Sequence, residues 1–137
     1  MRVLVCGDRN WSDYELVLEK LREVCETVIA EKLKHHYGMI DPVDFRKDIL
    51  VIDGEAPGAD SKGHKAASSL GCRTKRFTAD WAKYGKAAGP IRNQQMLDEG
   101  KPDLALAFHD DLKNSKGTKD MIKRAEKAGV KVVKIHH

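Results

Sequence analysis

Two stretches of this chain put backbone amides, hydroxyls and cations where an anion can be held. In the first, Asp53-Gly54-Glu55-Ala56-Pro57-Gly58-Ala59-Asp60 follows the apolar run Ile49 to Ile52. That pattern reads as a short buried strand, a tight turn and then a helix. The first turn of a helix leaves N–H groups without intrahelical partners, and glycines at 54 and 58 let a ligand approach them closely. An ordinary βα turn has the same residue types, and a lone glycine-rich loop does not separate the two readings. In the second stretch, Ser115-Lys116-Gly117-Thr118 supplies amides, a hydroxyl and an ammonium at another helix start. This is the description of a phosphate cradle, in which each favourable charge–dipole contact contributes about 0.3–1 kcal/mol. Neither stretch is a P-loop, because Lys followed by Ser or Thr never stands in the Gly-x-x-x-x-Gly-Lys frame, and Gly7 does not open a dinucleotide Gly-x-Gly-x-x-Gly fingerprint.

Other residue types suit the same chemistry. Gly7-Asp8-Arg9-Asn10-Trp11 combines a turn glycine, an arginine that can bind phosphate or carboxylate with two parallel hydrogen bonds, and a tryptophan that either stacks on a base or fills the edge of the core, packing being the favoured reading. Trp81 and Tyr84 lie in a long stretch between residues 78 and 89. Arg92, beside Asn93, sits near a helix start, where a cation opposes the helix dipole by some tenths of a kcal/mol, roughly, unless an anion is bound. Asp60 reads either as a helix cap or as an acceptor for ribose hydroxyls. Asp8, Asp60, Asp80 and Asp120 are the candidate carboxylates for acid–base work. The histidines at 35–36, 64, 109 and 136–137 form no metal-ligand spacing and read as solvated side chains. No metal and no cofactor is predicted.

These residues need elements to position them, and the chain supplies a regular alternation. Arg2 to Cys6 is a strand apolar throughout, as in a parallel strand covered on both faces. Ser12 then begins a helix, with Glu15 completing a capping box, and its apolar stripe from Tyr14 to Ile29 carries it to about His35. Gly38 to Asp48 is a polar connector. After the second strand a helix opens at Asp60 or Ser61 and stops at Gly71, and Cys72 to Phe77 is a polar third strand suited to a sheet edge. Residues 78–89 form a loop long enough to suggest function. Pro90 suits the first turn of a helix that ends near Gly100. Leu104 to Phe108 is a fourth strand, Gly117-Thr118 opens the last helix, Gly129 closes it, and Val130 to Ile135 is the final strand. The order β-α-β-α-β-α-β-α-β predicts a Rossmann-like α/β fold, a three-layer α-β-α sandwich with a mostly parallel sheet of about five strands. Ligands of such sheets bind beyond the carboxyl ends of the strands, at the point where strand order reverses.

Composition narrows the class. The 137 residues suit a single domain spanning 1–137. With 34% charged residues, no long apolar run and no basic-plus-apolar leader, the expectation is a cytoplasmic protein with no membrane partner. Three widely spaced cysteines form no disulfide framework. The net charge of +4 is concentrated between Lys113 and Lys134, where aromatic residues for base stacking are absent, so a solvated helix face is favoured over a nucleic-acid groove.

Gly-Asp-Arg-Asn-Trp at 7–11, Asp-Gly-Glu-Ala-Pro-Gly-Ala-Asp at 53–60, the run from Ala79 to Met96 and Lys-Gly-Thr-Lys-Asp-Met at 116–121 resemble the YspA-type, cpYpsA-related branch of the SLOG superfamily, in the same order along nearly the whole chain. The resemblance implies a Rossmann-like fold that binds a nucleotide or nucleotide-derived ligand, as a sensor or a ligand-processing domain. It places Gly54 and Gly58 in a first ligand loop, Gly117 and Thr118 in a phosphate loop, and Arg92 at the arginine of the LOG-type Arg-Lys-x-x-Met segment. LOG-type phosphoribohydrolases cleave N-glycosidic bonds of nucleoside monophosphates, the DprA branch binds single-stranded DNA, and LOG relatives often pair through helices, which leaves a homo-oligomer open. Where LOG enzymes read Pro-Gly-Gly-x-Gly-Thr-x-x-Glu, this chain has Met121 at the glutamate position. A thioether is no general base, so N-glycosidic chemistry here requires a carboxylate from elsewhere.

Overall fold

The computed structural model describes residues 1–34 and 45–137. Five strands, β1 (Arg2–Gly7), β2 (Leu50–Asp53), β3 (Arg73–Arg76), β4 (Leu104–Phe108) and β5 (Lys131–Ile135), form one sheet in the order β3-β2-β1-β4-β5. Every pairing is parallel, which makes the sheet wholly parallel. The helices that lie wholly within the described residues are α1 (Tyr14–Leu33), α2 (Ala59–Leu70), the one-turn α3 (Trp81–Tyr84), α4 (Ala88–Gly100) and α5 (Gly117–Lys127).

The alternation of side chains along the central strands divides the core into two layers. Val3, Val5 and Val51 face α1 and α2, where Val17, Leu21, Ala66 and Leu70 pack on them. Leu4, Cys6 and Ile52 face α4 and α5 and meet Met96, Leu97, Met121 and Ala125. A Cβ at Gly63 would stand 2.6 Å from Val5 Cγ1, so α2 lies close on the sheet through its small residues. The polar β3 takes the edge position that its arginines and lysine require.

Element boundaries differ from expectation in three places. The first helix is capped by Asp13, whose carboxylate accepts the Leu16 amide at 3.1 Å, and not by Ser12 in a box with Glu15. Asp13 competes for the same role one residue later and is the side chain that reaches the third amide of the turn. The stretch 78–89 is more ordered than a loop: Asp80 caps α3, accepting the Lys83 amide at 3.1 Å, a 3₁₀ turn spans Gly85–Ala87, and α4 starts directly after it. The helix α2 opens at Ala59, one residue early, with Gly58 at φ +78° before it. The expected end of α1 at His35, most of the polar connector and His36 lie outside the described residues.

Chain order runs outward from β1 to β2 to β3 and then returns across the sheet to β4. Strand order therefore reverses between β1 and β4, where Gly7 pairs with Phe108. A Cβ at Gly7 would lie 2.1 Å from the Phe108 carbonyl oxygen, so the crevice opens where two backbones run in contact.

Candidate functional site

A cleft of about 850 Å³ lies over this reversal, walled by the loops that follow the first four strands and by the starts of α4 and α5. The β2 loop differs from a free anion cradle. Asp60, in the first turn of α2, turns its carboxylate back into the loop, where one oxygen accepts the Gly54 amide at 2.9 Å and the Ala56 amide at 3.4 Å. Asp53, fully buried at the end of β2, accepts the Glu55 amide at 2.7 Å and Arg76 Nε at 3.0 Å. Three consecutive amides are thus occupied by the protein's own carboxylates. Burial first, and then the neighbouring Asp53 charge, push the Asp60 carboxyl up from 3.8 to about 6.

Gly54 takes a close approach from inside the protein, by the end of a long side chain. The Arg92 guanidinium donates to the Gly54 carbonyl, and a Cβ at position 54 would meet Arg92 Nη1 at 2.6 Å. Gly58 has a different constraint: at φ +78°, a Cβ there would strike the Asp8 carbonyl oxygen at 2.2 Å, and the adjacent Ala59 amide donates to that same oxygen at 3.0 Å. It locks the β2 loop onto the β1 loop and does not face the cleft.

A second network joins α4 to α5. Asn93, 5% exposed, donates to Asp120 at 3.0 Å and to the Gly117 carbonyl at 3.4 Å, and accepts Arg92 Nε at 3.2 Å. Asp120 also accepts Arg124 Nε at 2.9 Å. The start of α5 is held open from below. Ser115 Oγ accepts the Thr118 amide at 3.1 Å, while the Gly117 amide has no partner among the described residues and a Cβ at Gly117 would meet nothing within 4 Å. Lys116 stands beside it on the cleft wall.

The cleft gathers Gly7, Asp8, Arg9, Gly54 and Asp60 from the first two loops, Trp81, Arg92 and Asn93 from the third region, and Ser115 to Thr118 with Asp120 from the fourth. Four singled-out residues lie elsewhere. Trp11 is core: it is 4% exposed, tilted against Phe108 at 5.6 Å and stacked on His137 at 4.7 Å. Gly58 faces the β1 loop, and Asp80 is the cap of α3. Tyr84 is exposed with Lys83 over its ring. The cleft also contains residues that their types did not mark, notably Glu55, Thr78, Lys86, Met96 and His109. Glu55 stood inside the quoted motif, and its signal was a non-glycine in a turn that needs positive φ. Cys6 reaches the cleft floor, but burial holds its thiol far above the usual range and so keeps it protonated.

One reading outside the cleft changes. His137 is not merely solvated: its ring bonds Asp13 Oδ2 at 2.7 Å and Asp110 Oδ2 at 2.8 Å. The thiols of Cys25 and Cys72 are 3.6 Å apart and free. Lys119 and Lys123 of α5, with Lys113 before it and Lys134 of β5, line a shallow concavity without aromatic residues.

Residues 1–84 match the YspA, cpYpsA-related SLOG family. The chain belongs to that family. It is also 33% identical over 139 residues to the Gene 61 protein of Mycobacterium phage D29, an alignment covering 96% of this chain and 94% of that protein. No solved structure matches it. Membership of the SLOG family associates the chain, at a general level, with binding or processing of nucleotide-related ligands. Most of the cleft's cationic wall and the Ser115–Thr118 start of α5 lie after residue 84, beyond the matched segment. Among the described residues, no helix is long and apolar enough to cross a membrane, and no group of three or more His, Cys, Asp or Glu could hold a metal ion.

Proposed function

We propose that the protein binds a nucleotide or nucleotide-derived ligand in this cleft, as a sensor or ligand-processing domain. Its phosphate sits at the start of α5 on Gly117 and Thr118, with Lys116, Arg92 and Arg9 as charge partners. The observation that carries the reading is the Gly117 amide, unpartnered among the described residues at a helix start beside Lys116, with open space in front of it. The β2 loop contributes a wall and not a second phosphate grip, because Asp53 and Asp60 already fill its amides. Trp81, 54% exposed on the cleft wall, offers a face for a base.

One observation favours hydrolysis of an N-glycosidic bond as the second reading. Asp60 is a buried cleft carboxyl raised to about 6, which keeps part of it protonated near neutral pH, as a general acid requires. Met121, 2% exposed on the cleft floor, offers no carboxylate.

The test is a thermal-shift screen of nucleotides and of cyclic and ADP-ribose derivatives, followed by chromatography for released base. Stabilisation without turnover supports the sensor, and base release that is lost in Asp60→Asn supports the hydrolase. Failure of every phosphate-bearing ligand to stabilise the protein refutes both.

A further inference from the structure

Glu55 is one of two residues other than glycine with positive φ among the described residues, at +61°, and the other, Lys101, closes α4. A left-handed conformation at a non-glycine costs stability and persists where the surroundings over-determine it. Here they do: the Glu55 amide is held by Asp53, and the preceding Gly54 by Asp60 and Arg92. Glycine would satisfy that backbone without strain, so the glutamate side chain needs its own reason.

The other cleft carboxylates each hold the fold through one oxygen, and all are less exposed than Glu55. Asp60 bonds two loop amides, Asp120 bonds Asn93 and Arg124, and Asp8 accepts the Asn10 amide at 2.9 Å. Glu55 is exposed on the cleft wall and accepts only the side-chain hydroxyl of Thr78, which leaves its second oxygen open. It lies just past the end of β2, where a carboxylate in a doubly wound sheet can reach the ribose of a ligand whose phosphate lies nearer the strand-order reversal.

We infer that Glu55 is a specificity-determining residue whose carboxylate accepts a hydrogen bond from the 2′-hydroxyl of a ribose, selecting ribo- over 2′-deoxyribonucleotides. The inference rests on the nucleotide reading above. Thr78 fixes the carboxylate's orientation, and the rigid loop backbone prevents it from turning away.

Isothermal titration with paired ribo- and 2′-deoxyribonucleoside 5′-monophosphates tests this on the wild type, Glu55→Gln and Glu55→Gly. The expected wild-type preference for the ribo member is about tenfold to a hundredfold, the range of a charge-assisted hydrogen bond. Both variants are expected to lose most of it while deoxyribonucleotide affinity stays within about threefold, which distinguishes lost hydroxyl contacts from a damaged cleft. Glu55→Gly is further expected to melt higher than the wild type, since it relieves the strained φ. Equal wild-type affinity for both members, or a preference that survives in both variants, overturns the role of Glu55 and leaves the nucleotide reading standing. Absence of binding by either member of every pair overturns both.

Discussion

Asp60→Asn isolates the energetic consequence of filling a loop with a buried carboxylate. The carboxyl is raised from 3.8 to about 6, with burial as the first cause and Asp53 as the second. Because the folded-state value exceeds the unfolded one, the folded protein binds this proton more tightly. Stability contributed through Asp60 is therefore present below about pH 4 and is lost as pH rises through about 6. A shift of that size corresponds to about 3 kcal/mol at about 1.4 kcal/mol per unit. The residue is only 5% exposed, so solvent screening does little to reduce the figure.

Asparagine is nearly isosteric and keeps an oxygen that can accept the Gly54 and Ala56 amides, but it cannot ionise. Urea unfolding of both proteins between pH 4 and 7.5 should find them within about 1 kcal/mol at the acid end, where both side chains are neutral. The variant should then gain about 3 kcal/mol on the wild type by pH 7.5. Comparison at each pH cancels the contributions of the other titrating groups. A difference that stays flat across the range refutes the burial argument. A variant that loses ground as pH rises would mean that Arg92 and the loop amides favour the anion more than burial opposes it.

Three further outcomes follow from geometry. Gly58→Ala should lose about 3 kcal/mol in urea unfolding, since it combines a positive φ with an overlap on the Asp8 carbonyl, while Gly71→Ala, at φ +82° with open space around it, should lose only about 1 kcal/mol; similar losses would dismiss the loop-on-loop contact. Arg92→Ala should weaken phosphate-bearing ligands by about 1.5–3 kcal/mol in titration calorimetry, and Arg92→Lys should recover only part of it because the planar fork is gone; unchanged binding in Arg92→Ala ends the phosphate assignment. Two carboxylates bonding the His137 ring should hold its NMR titration midpoint above 6.5, and Asp110→Asn should lower it. The clamp's contribution is then lost as pH rises through that midpoint, and at the acid side as pH falls below 3.8, because Asp13 and Asp110 are both lowered. An unperturbed midpoint would break the clamp.

The layer architecture was legible because burial on both faces of a parallel strand requires unbroken apolar runs, and Val3–Val5, Leu50–Ile52 and Ala105–Phe108 supply them. The polar β3 was legible as an edge for the converse reason. The helix stops at Gly71 and Gly129 follow from the left-handed φ that only glycine adopts freely. What stayed hidden depends on where side chains turn. Asp60 has the residue type of a cap, yet it does not cap α2: it bonds amides four and six residues earlier in its own loop. Asp13 and Ser12 are equivalent as cap types one residue apart, and Asp13 also pairs with His137, a contact across 124 residues that no local pattern encodes. The Asp80 cap of α3 had a local signal, but the aromatic and glycine residues after it concealed a helix of one turn.

The occupied β2 loop changes how charge divides across the cleft. Its walls carry four cations, Arg9, Lys86, Arg92 and Lys116, against four carboxylates, Asp8, Glu55, Asp60 and Asp120. They do not cancel uniformly. Asp120 is paired with Arg124, and Asp60 is partly protonated at neutral pH, so the α5 side of the cleft keeps Lys116 and the helix dipole with little opposing charge. The β2 loop presents Glu55, and its amides at 54–56, already bonded to Asp53 and Asp60, are closed to an anion. A ligand that suits both sides carries a phosphate at one end and hydrogen-bond donors at the other. The ribose and phosphate of a nucleotide have that polarity, and the proposed mode of binding follows it: phosphate toward Gly117, sugar hydroxyl toward Glu55.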